Sequence, residues 1–184
     1  MDPIAIDHET VPGAALTAFL LHPHPDMGGN RFNHVIEAIY RSLPGAGVSA
    51  VRFDLSSSEP GRARADTVAA LDLVDAARVV LVGYSFGADV ALGVDDRRIA
   101  GWFAIAPPLR LVGVEAAAAD QRPKALLVAE QDQWSPPSRV REQTAAWTNT
   151  TVTALAGADH FLNGHGAAVA GAVRAWVAPM ASGD

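Results

Sequence analysis

Short apolar runs alternate with helix-like segments along most of the chain, and this alternation limits the folds that it can adopt. Each run is only about five to eight residues long and lacks polar residues at every second place, which is typical of strands covered on both faces. The runs predict strands at Ala14–Leu21, Val48–Asp54, Val79–Gly83, Ile99–Ile105, Ala125–Ala129 and Val152–Leu155.

The segments between these runs carry apolar residues at helical spacing. They predict helices over Asn33–Leu43, Arg64–Ala77, Ser85–Gly93 and Gly166–Val177, and a further helix that Ser135 caps with Pro136 at its first position and that continues through Val140, Thr144 and Trp147. Strands and helices that alternate in this way form a mostly parallel sheet with helices on both faces. The sequence therefore predicts an α/β fold of about six to seven strands. Because no repeat or linker interrupts the pattern, we expect a single domain over residues 1–184.

Composition narrows the partners that such a domain would bind. A formal net charge of −6 argues against nucleic acid or an anionic membrane surface, since both would require clustered Lys and Arg. No window approaches the ~18 apolar residues of a membrane span, and the first ten residues lack the pattern of a secretory signal. The absence of Cys excludes disulfides and thiolate metal sites and is compatible with a reducing compartment. We therefore expect a cytoplasmic protein with a small-molecule partner and leave its oligomeric state open.

A serine flanked by glycines follows one predicted strand directly. Residues 83–87 read Gly-Tyr-Ser-Phe-Gly, between the run Val79–Gly83 and the apolar start of the next predicted helix. In such a turn the serine is strained and exposed, and the two glycines let strand and helix approach closely. A bare Gly-x-Ser-x-Gly pattern arises by chance in roughly one in twenty chains of this length. Context favours Ser85 as a nucleophile, but a serine that merely occupies a tight turn is the alternative.

A serine nucleophile needs a base, and the base needs an acid that orients it. In a fold where the serine comes first, the acid and then the histidine follow at the carboxyl ends of later strands. Asp132 follows the fifth predicted strand, and His160 follows the sixth. The sequence therefore predicts Ser85, His160 and Asp132 as nucleophile, base and acid.

Other acids and histidines fit these positions less well. Asp159 is a competing acid, but a residue next to the histidine in sequence rarely reaches its Nδ1 atom from the correct side. His8 and His34 lie away from the expected loops, and His165 is expected to begin the final helix.

Two backbone N–H groups are also needed to bind the oxyanion of a tetrahedral intermediate. One is expected from Phe86, directly after the nucleophile, and the other from the loop after the first predicted strand. Because prolines 23 and 25 have no N–H, His24 is the expected donor there, with Asp26 and Met27 as the alternatives. The alternative that His22 and His24 form a metal-binding pair is disfavoured, since the chain is too short for the barrels that use such a pair, so no metal or other cofactor is predicted.

Taken together, these motifs resemble the α/β-hydrolase superfamily, and within it the small bacterial hydrolases related to the dienelactone-hydrolase group. The resemblance spans about residues 16 to 164 and rests on Leu21-His22-Pro23-His24-Pro25…Gly28-Gly29, Val51-Arg52-Phe53-Asp54, Gly83-Tyr84-Ser85-Phe86-Gly87-Ala88, Ala104-Ile105-Ala106-Pro107-Pro108 and Gly157-Ala158-Asp159-His160-Phe161. It implies a triad of Ser85, His160 and Asp132 that hydrolyses an ester-like bond.

The sequence departs from these relatives at two places. They commonly carry an Arg-Gly-x-Gly-x-Ser turn where this chain has Asp54-Leu55-Ser56-Ser57-Ser58-Glu59-Pro60-Gly61, which leaves the shape of that rim of the site open. They also tend to have a large aromatic residue at the position of Asp89, whose carboxylate we expect to be either solvated or paired with an arginine.

The segment from Pro107 to Pro123 is too short to form the helical lid that many relatives insert there. We therefore expect an open site with apolar walls, for which Met27, Trp134, Phe161 and Phe86 are candidates. Such a site suits a serine hydrolase that acts on a small or extended acyl ester or thioester. The alternatives are a catalytically silent binding module and an acyltransferase that uses the same residues.

Overall fold

The computed structural model describes residues 4–110 and 115–182, and within them seven strands form one sheet. The strands are β1 (Ile6–Glu9), β2 (Thr17–Leu21), β3 (Ser49–Phe53), β4 (Val79–Tyr84), β5 (Ile99–Ile105), β6 (Lys124–Ala129) and β7 (Thr150–Leu155). They lie in the order β1-β3-β2-β4-β5-β6-β7, and only β1, on β3, pairs antiparallel. The mostly parallel sheet is therefore confirmed.

Helices cover both faces of this sheet. They are α1 (His34–Ser42), α2 (Pro60–Leu73), α3 (Phe86–Leu92), α4 (Glu115–Ala118), α5 (Pro137–Gln143) and α6 (Gly166–Ser182). One apolar core contains residues of α1 and α6, and a second contains residues of α2, α3, α4 and α5. Because the strands contribute side chains to both cores, their apolar runs need no polar alternation.

Several predicted element bounds are wrong, and local capping explains two of them. Helix α2 begins at Pro60 instead of Arg64, because the Glu59 carboxylate accepts hydrogen bonds from the first N–H groups of this helix. Helix α5 begins at Pro137, because proline suits the first position of a helix, so Pro136 and not Ser135 is its N-cap residue, and the helix ends before Trp147.

Three further elements differ from the prediction. Strand β1 and the short helix α4 were not predicted, and α6 continues five residues beyond Val177, with Pro179 inside the helix. The predicted lidless connection after β5 includes residues 111–114, which lie outside the described residues.

The strand order places a crevice between β2 and β4. The chain runs from β2 outward to β3 on one side and then continues from β4 on the other side, so the loops after β2 and β4 diverge at the carboxyl ends of these strands. Ligands bind at such a switch point in open α/β sheets. Across residues 4–110 and 115–182, no helix has the length and apolar character needed to cross a membrane.

Candidate active site

The turn between β4 and α3 holds Ser85 in a conformation that few L-residues adopt. Its φ and ψ angles are 53° and −118°, and its N–H donates to the Ile105 carbonyl at 2.8 Å. A Cβ atom on Gly83 would lie 2.2 Å from the Gly87 carbonyl oxygen, and one on Gly87 would lie 2.4 Å from the Leu21 carbonyl oxygen. Both glycines are therefore required for the close approach of α3 to β4 and β2.

Three side chains from separate loops form a continuous hydrogen-bonded chain. Ser85 Oγ lies 2.9 Å from His160 Nε2, and His160 Nδ1 lies 2.7 Å from Asp132 Oδ2. The His160 and Asp132 side chains are buried, whereas Ser85 is partly exposed. The structure thus brings together the three residues that the sequence predicts as nucleophile, base and acid.

The Asp132 carboxylate is fixed by the loop that carries it. Its Oδ1 atom accepts hydrogen bonds from the N–H groups of Trp134 and Ser135, both at 2.9 Å, which leaves Oδ2 for His160. Burial alone would raise the pKa of Asp132, but the hydrogen bonds from His160, Ser135 and Trp134 together hold it below its usual value. The carboxylate is therefore kept ionised and aimed at Nδ1 of the imidazole.

The competing acid has a different local role. Asp159 is exposed, and its Oδ1 atom accepts from the N–H groups of Phe161 and Leu162 at 3.0 and 3.2 Å. It shapes the turn after His160 and does not bind the imidazole.

His165 is the residue directly before α6. Its main-chain carbonyl oxygen accepts a hydrogen bond from the Val169 N–H, so His165 caps this helix.

The loop after β2 contains two histidines with different surroundings. The His22 ring is buried, with Nδ1 2.6 Å from the Pro23 carbonyl and Nε2 accepting from the Leu55 N–H at 2.9 Å. Burial lowers the pKa of His22, against the opposing effects of the Pro23 hydrogen bond and the Asp54 charge. With both ring nitrogens bound within the protein, His22 is not arranged as a metal ligand beside His24. Among the described residues, no group of three or more His, Asp or Glu could hold a metal ion.

The same loop presents a free backbone donor to the site. Within the described part of the chain, neither the His24 N–H nor the Phe86 N–H has a hydrogen-bond partner, and the two aromatic rings are 5.0 Å apart. Gly29 makes the tight turn possible, since a Cβ atom there would lie 2.1 Å from the Pro23 carbonyl oxygen. Both residues that the sequence predicts as oxyanion donors therefore lie at this end of the sheet with unused N–H groups.

A cavity of about 590 Å³ opens beside Ser85 and His160. The predicted wall residues Met27, Trp134 and Phe161 all line it, as does Phe86. The Trp134 ring packs edge-on against His160 with centroids 4.5 Å apart, and it packs against Phe161 at 5.5 Å. The lining also includes Ser58, from the rim that the sequence analysis named, and residues that it did not assign to this site: Asn33, His34, Tyr84, Pro108, Arg110 and Asn163.

The serine-rich segment after β3 forms one rim of this cavity. Ser58 Oγ donates to Asp26 Oδ2 at 2.6 Å, which joins this segment to the loop after β2. Ser56 donates to the buried Asp66 carboxylate through both its N–H and its hydroxyl group, at 2.7 Å each. Side-chain hydrogen bonds thus hold the rim that the sequence left open.

Asp89 lies one turn into α3 and is fully buried, so the expectation of a solvated carboxylate is wrong. Its two oxygens accept hydrogen bonds from the N–H groups of Leu109 and Arg110 at 2.9 and 2.8 Å. These contacts attach the loop after β5 to the helix that follows Ser85. Sequence reasoning could not assign this role, because the donors are main-chain groups distant in the chain.

Comparisons with known proteins agree with this architecture. Neither a protein-family model nor a curated protein sequence matches the chain. Among solved structures, it is similar to an α/β serine hydrolase homologue from Coxiella burnetii, with 23% identity, a TM-score of 0.78, and coverage of 96% of this chain and 90% of that one. An α/β serine hydrolase without a lid from Xanthomonas campestris has 22% identity and a TM-score of 0.84, with coverage of 97% and 88%.

A third similar structure is an esterase from Pyrococcus furiosus, with 15% identity, a TM-score of 0.73, and coverage of 95% of this chain and 91% of that one. At these low identities, the TM-scores show a shared fold and no more, and the strand order and the turn at Ser85 agree with that fold. The chain therefore has an α/β-hydrolase fold, which it shares with the solved structure described as having no lid.

Proposed function

We propose that this protein is a serine hydrolase that cleaves an ester or thioester of a small or extended acyl group through an acyl-enzyme on Ser85. The observation that carries the proposal is the chain of two hydrogen bonds from Ser85 through His160 to Asp132, at 2.9 and 2.7 Å, at the wall of an open cavity. Similarity to serine hydrolases and an esterase supports the same reaction class.

In the first half of this reaction, Ser85 Oγ attacks the substrate carbonyl carbon while His160 Nε2 accepts the hydroxyl proton. The negative charge that develops on the carbonyl oxygen is stabilised by the N–H groups of Phe86 and His24. Asp132 holds Nδ1–H of the imidazole and stabilises the imidazolium that forms.

Collapse of the tetrahedral intermediate then breaks the bond to the leaving group, which takes the proton from His160 Nε2 as it departs. The acyl group stays on Ser85 Oγ. A water molecule gives a proton to His160 and attacks the acyl carbon, and a second collapse returns the proton to Ser85 and releases the carboxylic acid. An open cavity gives water access for this step.

A covalent label separates this function from that of a silent binding module. We expect a fluorophosphonate probe to attach to Ser85 in the folded protein, with the site identified by peptide mapping. The Ser85→Ala variant should not react and should lose about 10³-fold or more of its activity on short p-nitrophenyl esters. Ser58→Ala, which alters another serine of the same cavity, should still carry the label on Ser85. Unlabelled Ser85, with esterase rates equal in wild type and Ser85→Ala, would overturn the proposal.

An acyltransferase would use the same acyl-enzyme but a different acceptor. The partition of product between free acid and a new ester, measured at increasing concentrations of a small alcohol, tests this alternative. We expect hydrolysis to dominate, because the described residues leave the cavity open to water. Ester formation that saturates at low alcohol concentration would indicate a built acceptor site instead.

A further inference from the structure

Resting on the proposed hydrolase function, we propose that Arg110 binds a carboxylate group of the substrate, so that the preferred substrates are esters or thioesters that carry one negative charge. The inference goes beyond the triad because it assigns a charge to the substrate. It depends on the loop after β5 and on the buried Asp89 that holds this loop.

Arg110 is held at the cavity by its backbone. Asp89, fully buried in the helix that follows Ser85, accepts the N–H groups of Leu109 and Arg110 at 2.9 and 2.8 Å. Leu109 has a φ of 51°, a left-handed conformation that is uncommon for a residue with a Cβ. The Asp89 carboxylate of α3 therefore fixes this loop in a strained conformation.

The Arg110 side chain is the cation that the cavity presents. Among the residues that line it in the described part of the chain, Arg110 is the only Lys or Arg. Its Nη2 atom has one long contact, 3.5 Å from the Trp134 carbonyl oxygen, and it forms no ion pair with a carboxylate of the described residues. Trp134 itself packs on His160, so Arg110 lies on the same side of the cavity as the proposed base.

Other arginines of the chain are used differently. Arg31, Arg52, Arg98 and Arg122 each pair with carboxylates of the protein. In a protein with a net charge of −6, an exposed guanidinium that faces a cavity and lacks such a partner is available to an anionic ligand.

The surrounding charges favour a carboxylate over a phosphate. A planar guanidinium matches a carboxylate with two parallel hydrogen bonds and balances its single charge. A phosphate dianion would bring two negative charges to a cavity whose lining includes the buried residue Asp89 and whose described lining residues offer no second Lys or Arg. The single cation therefore points to a monoanionic substrate.

Matched ester pairs test the inference by hydrolysis. Monoethyl glutarate against diethyl glutarate places the charge on the acyl side, and 4-carboxyphenyl butyrate against phenyl butyrate places it on the leaving group. We expect Arg110→Gln to lower kcat/KM for the anionic member of one pair by about three- to tenfold relative to the neutral member. The pair that responds identifies the side of the substrate that Arg110 contacts.

The matched control is Arg139→Gln. Arg139 donates to the same Trp134 carbonyl at 3.1 Å, but it does not line the cavity. This variant makes the same change in net charge, and it should leave the preference within about twofold of wild type because the Arg139 side chain does not line the cavity. Equal loss in both variants, or no change of preference in Arg110→Gln, would overturn the inference.

Binding provides a readout that does not depend on turnover. In Ser85→Ala protein, titration of the same ester pairs followed by amide chemical shifts should show tighter binding of the anionic member, and the added Arg110→Gln change should abolish this difference. Discrimination in binding without hydrolysis by wild type would support the role of Arg110 and contradict the hydrolase proposal. Hydrolysis by wild type without discrimination in either assay would support the hydrolase proposal and contradict the role of Arg110.

Discussion

The hydroxyl group of Tyr84 donates a hydrogen bond of 2.8 Å to the main-chain carbonyl oxygen of His160, and both residues are buried. Tyr84 is the last residue of β4 and directly precedes Ser85, so one strand end positions the proposed nucleophile and holds the backbone of the proposed base. Burial raises the pKa of Tyr84, with smaller contributions from Asp132 and Asp159, so its hydroxyl remains a donor.

We expect Tyr84→Phe to lower kcat about three- to tenfold with little change in KM, because His160 loses a positioning contact while the cavity keeps its ring. The unpaired carbonyl should also lower the free energy of unfolding by about 1–3 kcal/mol. The other tyrosine, Tyr40 on α1, stacks with Arg52 of β3, and Tyr40→Phe is the matched control. A Tyr84→Phe protein that is less stable but fully active would show that Tyr84 has only a structural role.

The two candidate acids beside His160 predict different outcomes. We expect Asp132→Asn to lower kcat by about 10³- to 10⁴-fold, because an amide cannot hold the imidazolium and favours the wrong tautomer of His160. Asp159→Asn should change kcat by no more than a few-fold, since the Asp159 carboxylate accepts, among the described residues, from the Phe161 and Leu162 N–H groups and not from His160. Steady-state kinetics on one p-nitrophenyl ester compare them. The reverse order of effects would assign the acid role to Asp159.

Patterns of local sequence were enough to predict the parallel strands and the turn at Ser85. Central strands are buried on both faces and therefore appear as apolar runs. The glycines of the turn are required because a Cβ atom at either place would lie less than 3 Å from backbone atoms. Strand β1 was missed because it is a short edge strand whose residues Asp7 and Glu9 are polar. Its Asp7 carboxylate binds Arg31 and Arg52, a contact that no periodicity reveals.

The role of Asp89 could not be predicted for a related reason. A carboxylate in a helix is expected to seek solvent or a cation, whereas Asp89 accepts main-chain N–H groups of a loop about twenty residues away. Such partners are brought close only by the tertiary structure, and because nearly every residue has a main-chain N–H, the sequence does not mark which ones will bind. The same limit applies to the hydrogen bond from Tyr84 to the His160 carbonyl and to the hydrogen bond from the Arg110 N–H to Asp89, since both join residues that are distant in the chain.

The Asp89 contacts predict a strong effect of removing its carboxylate. Asp89→Ala leaves the N–H groups of Leu109 and Arg110 without their acceptor, and we expect a loss of about 2–4 kcal/mol in the free energy of unfolding. Asp72→Ala, on the exposed end of α2, is the control and should cost less than about 1 kcal/mol. Urea unfolding followed by circular dichroism measures both. Equal losses would show that the buried carboxylate contributes no more than a surface ion pair.

An alanine substitution at a glycine of the turn should differ in its effect from one at a glycine in an open position of α6. In Gly87→Ala, the new Cβ would lie 2.4 Å from the Leu21 carbonyl oxygen, so we expect a loss of about 2 kcal/mol or more in the free energy of unfolding. Gly171→Ala, within α6, meets no atom within 4 Å and should stabilise the protein by about 0.5–1 kcal/mol. Thermal unfolding of the two variants compares them. A neutral Gly87→Ala would contradict the close packing of α3 on β2.

Stability should depend on pH through His22, whose pKa is lowered mainly by burial. The folded state takes up this proton only at a lower pH than the unfolded state does. The contribution of His22 is therefore present above the ordinary pKa of histidine, about 6.5, and is lost as the pH falls toward the folded-state pKa. Protonation also removes the acceptor for the Leu55 N–H.

We expect the free energy of unfolding, measured in urea, to fall between pH 7.5 and 5.5 in wild type and to fall less in His22→Gln. His8→Gln, which alters an exposed histidine on β1, should retain the wild-type slope. A His22→Gln slope equal to that of wild type would show that other groups cause the loss.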